Sequence, residues 1–156
     1  MSNNIWDQDI NNRNEISNQF LTFEIDGEDC GIEIAYVSGI QQMKPITRVP
    51  HMPRFIEGLI NLRGELIAVL DVRKRFGMMP KEHDENTCII TIFHEDYTLG
   101  IVVDAVRETV IIDESNIAPP PNAKLNYANQ FIRNIGKRDD DRVVLLLDLE
   151  RFFKYD

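Results

Sequence analysis

The chain has 156 residues, 43% of them hydrophobic and 28% charged, and a formal net charge of −9 at pH 7. That balance argues against nucleic acid or an anionic membrane surface as main partner and reads chiefly as a solubility charge. The length suits one domain or two tightly packed halves, and no run approaches the ~18 consecutive apolar residues of a membrane span.

Met1 to Asn18 is polar and Asn-rich, with Ile5 and Trp6 its sizeable apolar handle. The expectation is a disordered arm over residues 1–18 and, with no apolar leader, a cytoplasmic protein. From Phe20 onward, period-two alternation dominates. Phe20 to Ile25 runs into Asp26-Gly27, a strong hairpin signal, with the return strand over Cys30 to Ile34. Val37 to Met43 continues as a strand before Pro45, Pro50 and Pro53 break regular structure, leaving Ile46 to Val49 as a short edge-like stretch. One helical turn is expected between Phe55 and Gly58. Leu59 to Arg63 and Leu66 to Val72 are strands joined around Gly64-Glu65, the second apolar enough to be buried on both faces. A short helix, Arg73 to Phe76, stops at Gly77, and a charged loop, Lys81 to Asn86, follows. Further strands cover Cys88 to Phe93, Tyr97 to Val103 and Val106 to Ile112. A Pro-stiffened linker leads to a strand pair, Phe131 to Ile135 and Val143 to Leu149, and a helix over Glu150 to Lys154.

The same module occurs twice. Thr22 and Thr91, Gly31 and Gly100, and Val37 and Val106 each stand 69 positions apart. Leu70-Asp71-Val72 with Phe76 recurs 77 positions on as Leu147-Asp148-Leu149 with Phe153. The predicted class is all-β with a few short helices. Two packed small-barrel lobes, about 19–83 and 84–156, form a single domain over 19–156, with the termini free to cross between lobes. Lobes this small need a shared core.

Signatures of catalysis are sparse. Gly136-Lys137 is followed by Arg138, so no phosphate loop forms, and His51, His83 and His94 are dispersed surface residues. Asp71 and Asp148 could do acid–base chemistry, but each stands where a helix cap is needed, and symmetry favours that role in both lobes. Cys30 and Cys88, one in each half, read as small buried hydrophobes and not as a disulfide or metal pair. No cofactor or metal is expected. Arg73-Lys74-Arg75 and Lys137-Arg138 read as solvated basic knots that could face an acidic partner. Arg63, on the hairpin Asn61-Leu62-Arg63-Gly64, either offers its guanidinium to a partner or closes the hairpin against Glu57 or Glu65. Gly58 and Gly64 read as positive-φ turn residues.

The ordered set Gly31-Ile32-Glu33-Ile34, Ile46-Thr47-Arg48-Val49-Pro50, Gly58-Leu59-Ile60-Asn61-Leu62-Arg63-Gly64, Val69-Leu70-Asp71-Val72-Arg73 and Gly100-Ile101-Val102-Val103-Asp104 resembles the CheW family of bacterial chemotaxis coupling proteins, from about Phe20 to Phe153. The resemblance implies two SH3-like five-stranded β barrels and a non-catalytic adaptor. Its implied partners are the cytoplasmic tips of methyl-accepting chemoreceptors and the regulatory domain of the histidine kinase CheA, at membrane-associated arrays and without membrane insertion. The implied partner-binding residues are Arg63, Asn61 and Gly58 of the hairpin motif, and Val37, Gly39, Cys88, Ile89 and Val106 near an interlobe groove. Gly39 departs from the acidic residue often found there. The other readings are a stand-alone SH3-like peptide-binding module, which lacks an aromatic-lined groove in this sequence, or a small enzyme in the seam.

Overall fold

Among the described residues, 18–120 and 130–154 of a computed structural model, eleven strands form two sheets. In chain order they are β1 (Gln19–Ile25), β2 (Glu28–Glu33), β3 (Val37–Gln42), β4 (Ile56–Leu62) and β5 (Glu65–Asp71). Helix α1 (Val72–Arg75) precedes β6 (Cys88–His94), β7 (Tyr97–Val103) and β8 (Ala105–Ile111). The chain finishes with β9 (Ile117–Ala118), β10 (Ile132–Lys137), β11 (Val143–Leu147) and α2 (Leu149–Phe153). The first sheet has the order β8-β1-β2-β11-β10-β9 and the second β3-β6-β7-β5-β4.

The sheets do not divide the chain into a first and a second half. Hairpin β1–β2 joins the strands of the C-terminal half, and hairpin β6–β7 joins β3, β4 and β5. Under this exchange the repeat is kept in register. Thr22 faces Gly31 across β1 and β2 as Thr91 faces Gly100 across β6 and β7. Gly31 pairs in parallel with Leu146 as Gly100 does with Val69. The edge strands match too, Val37 lying opposite Ile92 and Val106 opposite Phe23. Each of these edge pairings carries a bulge at the same place. A bulge moves the following side chains to the other face, so Ile40 shares a face with Val37.

Alternation gives each sheet two apolar faces. The facing sides share one core that takes Leu21, Phe23, Ile25 and Ile32 from the first sheet and Leu70, Ile90, Ile92 and Ile101 from the second. The far side of the second sheet gathers Ile60, Ile67, Val69, Ile89 and Val102, and that of the first Phe20, Ile112, Val144 and Leu146. The expected class, all-β with a few short helices, is what the two sheets and two short helices show among the described residues.

Several local expectations change. Residues 56–58 already belong to β4, Ile56 facing the shared core and Ile60, past a bulge, facing the far side, so a strand replaces the helical turn drawn between Phe55 and Gly58. Leu66 is 70% exposed although Ile67, Val69 and Leu70 of the same strand are buried. Strand β9 was not legible as a strand; its counterpart in the other sheet is a single bridge between Thr47 and Leu59. Of the expected arm, residues 1–17 lie outside the described residues, whereas the Asn18 carbonyl accepts from Ile112 N–H at 3.0 Å, tying it to the first sheet. Pro121 of the linker also lies outside them.

Gly58 is not a turn glycine. It sits at a bulge in β4 with φ +146°, and a Cβ there would come 2.2 Å from the Thr47 carbonyl oxygen. That carbonyl accepts from Leu59 N–H while Thr47 N–H donates back, both at 2.8 Å, so neither chain can retreat without losing the bridge. Gly58→Ala is therefore expected to destabilise the protein by about 3 kcal/mol through backbone strain and steric overlap. Urea unfolding measures this, and a midpoint within error of wild type would show that the bridge yields freely.

Candidate partner-binding surfaces

Two of the residues expected at an interlobe groove are related by the repeat. Val37 begins β3 and Val106 lies near the start of β8, each on an edge strand, half-buried and packed on the shared core. Cys88, at the start of β6, packs on the same core, with the Val106 backbone N–H near its thiol. Burial pushes the Cys88 thiol pKa up, against the opposing effect of the nearby Val106 backbone N–H. Ile40, 50% exposed, lies on the Val37 face of β3 and extends this apolar margin. Gly39, between them, is opposite Thr91, and a Cβ added to it would lie 3.1 Å from Thr91 Oγ1. Ile89 is different. Its neighbours Cys88 and Ile90 face the shared core, and period two turns Ile89 into the far-side cluster, fully buried. Its side chain therefore presents nothing to a partner.

The second surface is the β4–β5 turn. Arg63 (φ +54°) and Gly64 (φ +87°) make a two-residue left-handed turn, and Asn61 Oδ1 accepts the Gly64 N–H at 3.0 Å to fix it. The alternative internal ion pair does not form among the described residues: Glu57 takes Lys74 instead at 2.6 Å, leaving the exposed Arg63 guanidinium to solvent. Continuing the β5–β7 register brings Leu66 level with Tyr97, each 70% exposed. Asn61 thus shapes the turn, Gly58 is buried beneath it, and Arg63 stands beside two exposed apolar side chains. Because β5 and β7 run parallel, this turn lies at the β6–β7 turn end of the sheet, and Cys88 lies at the other. The separation along the strands is about 20 Å for seven residues. The expected site residues therefore form two surfaces.

The candidate acids are committed elsewhere. Asp71 Oδ1 accepts from Lys74 N–H and Asp148 Oδ1 from Arg151 N–H, both at 3.1 Å, so each caps the helix that follows. Burial pushes the Asp71 carboxyl up, with the cap and the Lys74 charge opposing it. Cys30 is buried, and its thiol is pushed up to about 12 by that burial and by nearby acids, which makes it a packing residue. His51 and His83 are exposed, while His94 is partly covered by Phe153, with ring centroids 5.7 Å apart.

The expectation that Arg73-Lys74-Arg75 is solvated is overturned. Arg73 donates through Nε and Nη2 to Asp104 at 2.8–3.1 Å, Lys74 pairs with Glu57, and Arg75 is 7% exposed. The Arg75 guanidinium lies between the rings of Phe55 and Phe131, 4.1 and 4.5 Å from their centroids. It donates to the carbonyls of Phe152 (2.8 Å), Arg151 (3.2 Å) and Lys154 (2.6 Å), closing the C-terminal end of α2. Charge pattern alone misses this, because the carbonyls and rings that satisfy the cation come from distant chain positions. Arg138 of the other knot pairs with Glu108 at 2.6 Å.

Two sheets packed on one shared core thus leave two separate apolar margins at the surface. A family model, the CheW-like domain, matches residues 19–156. The chain is 31% identical over 136 residues to the chemotaxis protein CheW of Klebsiella aerogenes, covering 87% of this chain and 81% of that one. It is 32% identical over 145 residues to the chemotaxis protein CheW of Helicobacter pylori, covering 92% and 86%. The crystal structure of the scaffolding protein TtCheW from Thermoanaerobacter tengcongensis superposes with a TM-score of 0.82 at 34% identity, over 90% of this chain and 94% of that one. The chain belongs to the CheW family.

Burial works against the charge of Asp104, but hydrogen bonds from Arg73 and the Asp26 backbone, with the Arg73 charge, outweigh it and hold the carboxyl below its usual 3.8. A depressed carboxylate pKa adds stability that is present above the unfolded value and is lost as pH falls through the folded value. Asp104→Asn is therefore expected to lower stability at pH 7 and to flatten its decline below about pH 4. Urea midpoints measured across pH 2–7 check this; parallel wild-type and variant curves would remove Asp104 from the acid limb.

Proposed function

We propose that this chain is a non-catalytic adaptor that couples the cytoplasmic tips of methyl-accepting chemoreceptors to the regulatory domain of the histidine kinase CheA. The observation that carries the reading is the presence of two separate apolar surfaces, one along the β3 edge of the second sheet where β6 and β8 begin and one at the β4–β5 turn on the other edge, since an adaptor must hold two partners at once. The margin formed by Val37, Ile40, Cys88 and Val106 has the chemistry for one apolar face of a receptor helix. The turn with Arg63, beside Leu66 and Tyr97, offers the kinase domain a rigid cation flanked by apolar area, the composition of an interface anchor. The protein acts on the cytoplasmic side and reaches the membrane-associated array through these partners; no helix among the described residues is long and apolar enough to cross a membrane. Neither contact calls for a reaction. Each would bury on the order of 1,200–2,000 Å² if stable alone, and less where array avidity contributes.

Co-sedimentation with receptor-tip fragments and the kinase tests the reading. Wild type is expected to form a ternary complex, and Arg63→Ala to weaken partner binding by about 2 kcal/mol. Because Arg63 is exposed and makes no ion pair among the described residues, the melting temperature of the variant should stay near that of wild type. Undiminished affinity in the folded variant would remove Arg63 from the working surface.

A further inference from the structure

The two arginines of α1 have no counterpart in the repeat. Positions 77 residues after Arg73 and Arg75 hold Glu150 and Phe152, and the position 69 residues before Asp104 holds Ala35. The Arg73–Asp104 pair therefore exists once in a structure whose strands are otherwise doubled.

Its location is specific. Asp104 is the single residue between β7 of one sheet and β8 of the other, the point where the chain crosses from sheet to sheet. Its carboxylate receives Arg73 Nε and Nη2 and the Asp26 backbone N–H at 2.8 Å, while its own N–H donates to the Glu24 carbonyl at 3.2 Å. Arg73 also approaches Asp26 at 3.4 Å and donates to the Met79 carbonyl at 3.3 Å. Both side chains of the pair are largely covered, 14% and 10% exposed. Three parts are joined here: α1 after the second sheet, the β1–β2 turn of the first, and the crossover. Two residues further on is Val106, which packs with Cys88 on the shared core, its backbone N–H near the Cys88 thiol. The related crossover from β2 to β3 runs through Ile34–Tyr36, where Ala35 has no polar side chain to offer.

We propose that the Arg73–Asp104 pair is a positioning clamp that fixes where β8 leaves the second sheet and so sets the Val106–Cys88 side of the groove. Arg73 and Asp104 act through Val106 and do not touch the partner, and their role in binding rests on the groove reading above. The Val37 side has no such ion pair and is held by the β3–β6 ladder and the Ser38–Thr91 hydroxyl contact at 3.0 Å. A bidentate guanidinium suits this task because its fork fixes direction as well as distance.

The test uses the full chain as Asp104→Asn and Arg73→Lys, the second retaining charge while losing the fork. Backbone amide shifts report the clamp without any partner. The expected result is displacement of the Cys88, Val106 and Thr109 resonances in both variants, with Arg63 to Leu66 unmoved. Binding of a receptor-tip fragment should weaken about tenfold, while Arg63-dependent binding of the kinase domain stays at wild-type strength. Shifts confined to the contacts of the mutated side chains, with both affinities unchanged, would reduce the pair to a stabilising ion pair and overturn the proposal. Should Asp104→Asn not fold, Arg73→Lys decides. If wild type fails to bind the receptor fragment, the groove reading falls, and the amide map alone judges the clamp.

Discussion

The apolar layer between the two sheets is the constraint on which the rest of the molecule depends. A sheet of about five strands cannot bury enough surface by itself, and each far-side cluster here holds only four or five buried residues. The facing sides supply a far larger core, in which each fully buried Leu, Ile or Phe contributes roughly 1.5–3 kcal/mol. Surface ion pairs such as Lys137–Asp141 contribute about 0–1 kcal/mol and cannot substitute for it. Exchange of the hairpins β1–β2 and β6–β7 makes the layer inseparable, since pulling the sheets apart would strain the crossovers on both sides. A rigid seam is also what gives an adaptor two surfaces at a fixed separation.

Doubling accounts for most of the fold, and the departures from it concentrate where the two sheets meet. Phe55 and Phe131 occupy equivalent places, their carbonyls accepting the N–H of the cap residues Asp71 and Asp148 at 2.8 and 2.7 Å. Into this matched pair one asymmetric cation, Arg75, is inserted, and it closes one helix, α2. A buried guanidinium is tolerated because carbonyls and ring faces replace its water. The turns diverge as well: one end carries Arg63 and the equivalent end the acidic run Asp139-Asp140-Asp141. Symmetric strands thus carry unlike ends, which lets one fold meet unlike partners.

Much of this was legible from sequence, for reasons that particular residues make clear. Period-two alternation marked most strands, and the spacing of Thr22 and Gly31 against Thr91 and Gly100 announced equivalent hairpins. Asp71 and Asp148 read as caps because a short polar side chain before a helix has few other uses. The hairpin exchange was not legible, since alternation says which face is apolar and nothing about which sheet a strand joins. Ile89 was misplaced among surface residues because it adjoins Cys88, and one step along a strand reverses the face. Leu66 was assigned to the core because an apolar run does not reveal where the opposing sheet ends. The partners of Arg73 and Arg75 lie tens of residues away, beyond the reach of local pattern.

The claim that one shared layer makes the sheets a single unit is tested most directly by native-state amide hydrogen exchange across a denaturant series. The slowest amides of Phe23 and Ile32 in one sheet, and of Ile90 and Ile101 in the other, should open with one common free energy equal to that of global unfolding. A set of core amides in one sheet exchanging through a smaller opening, while the other stays protected, would contradict it and show two units that fold separately.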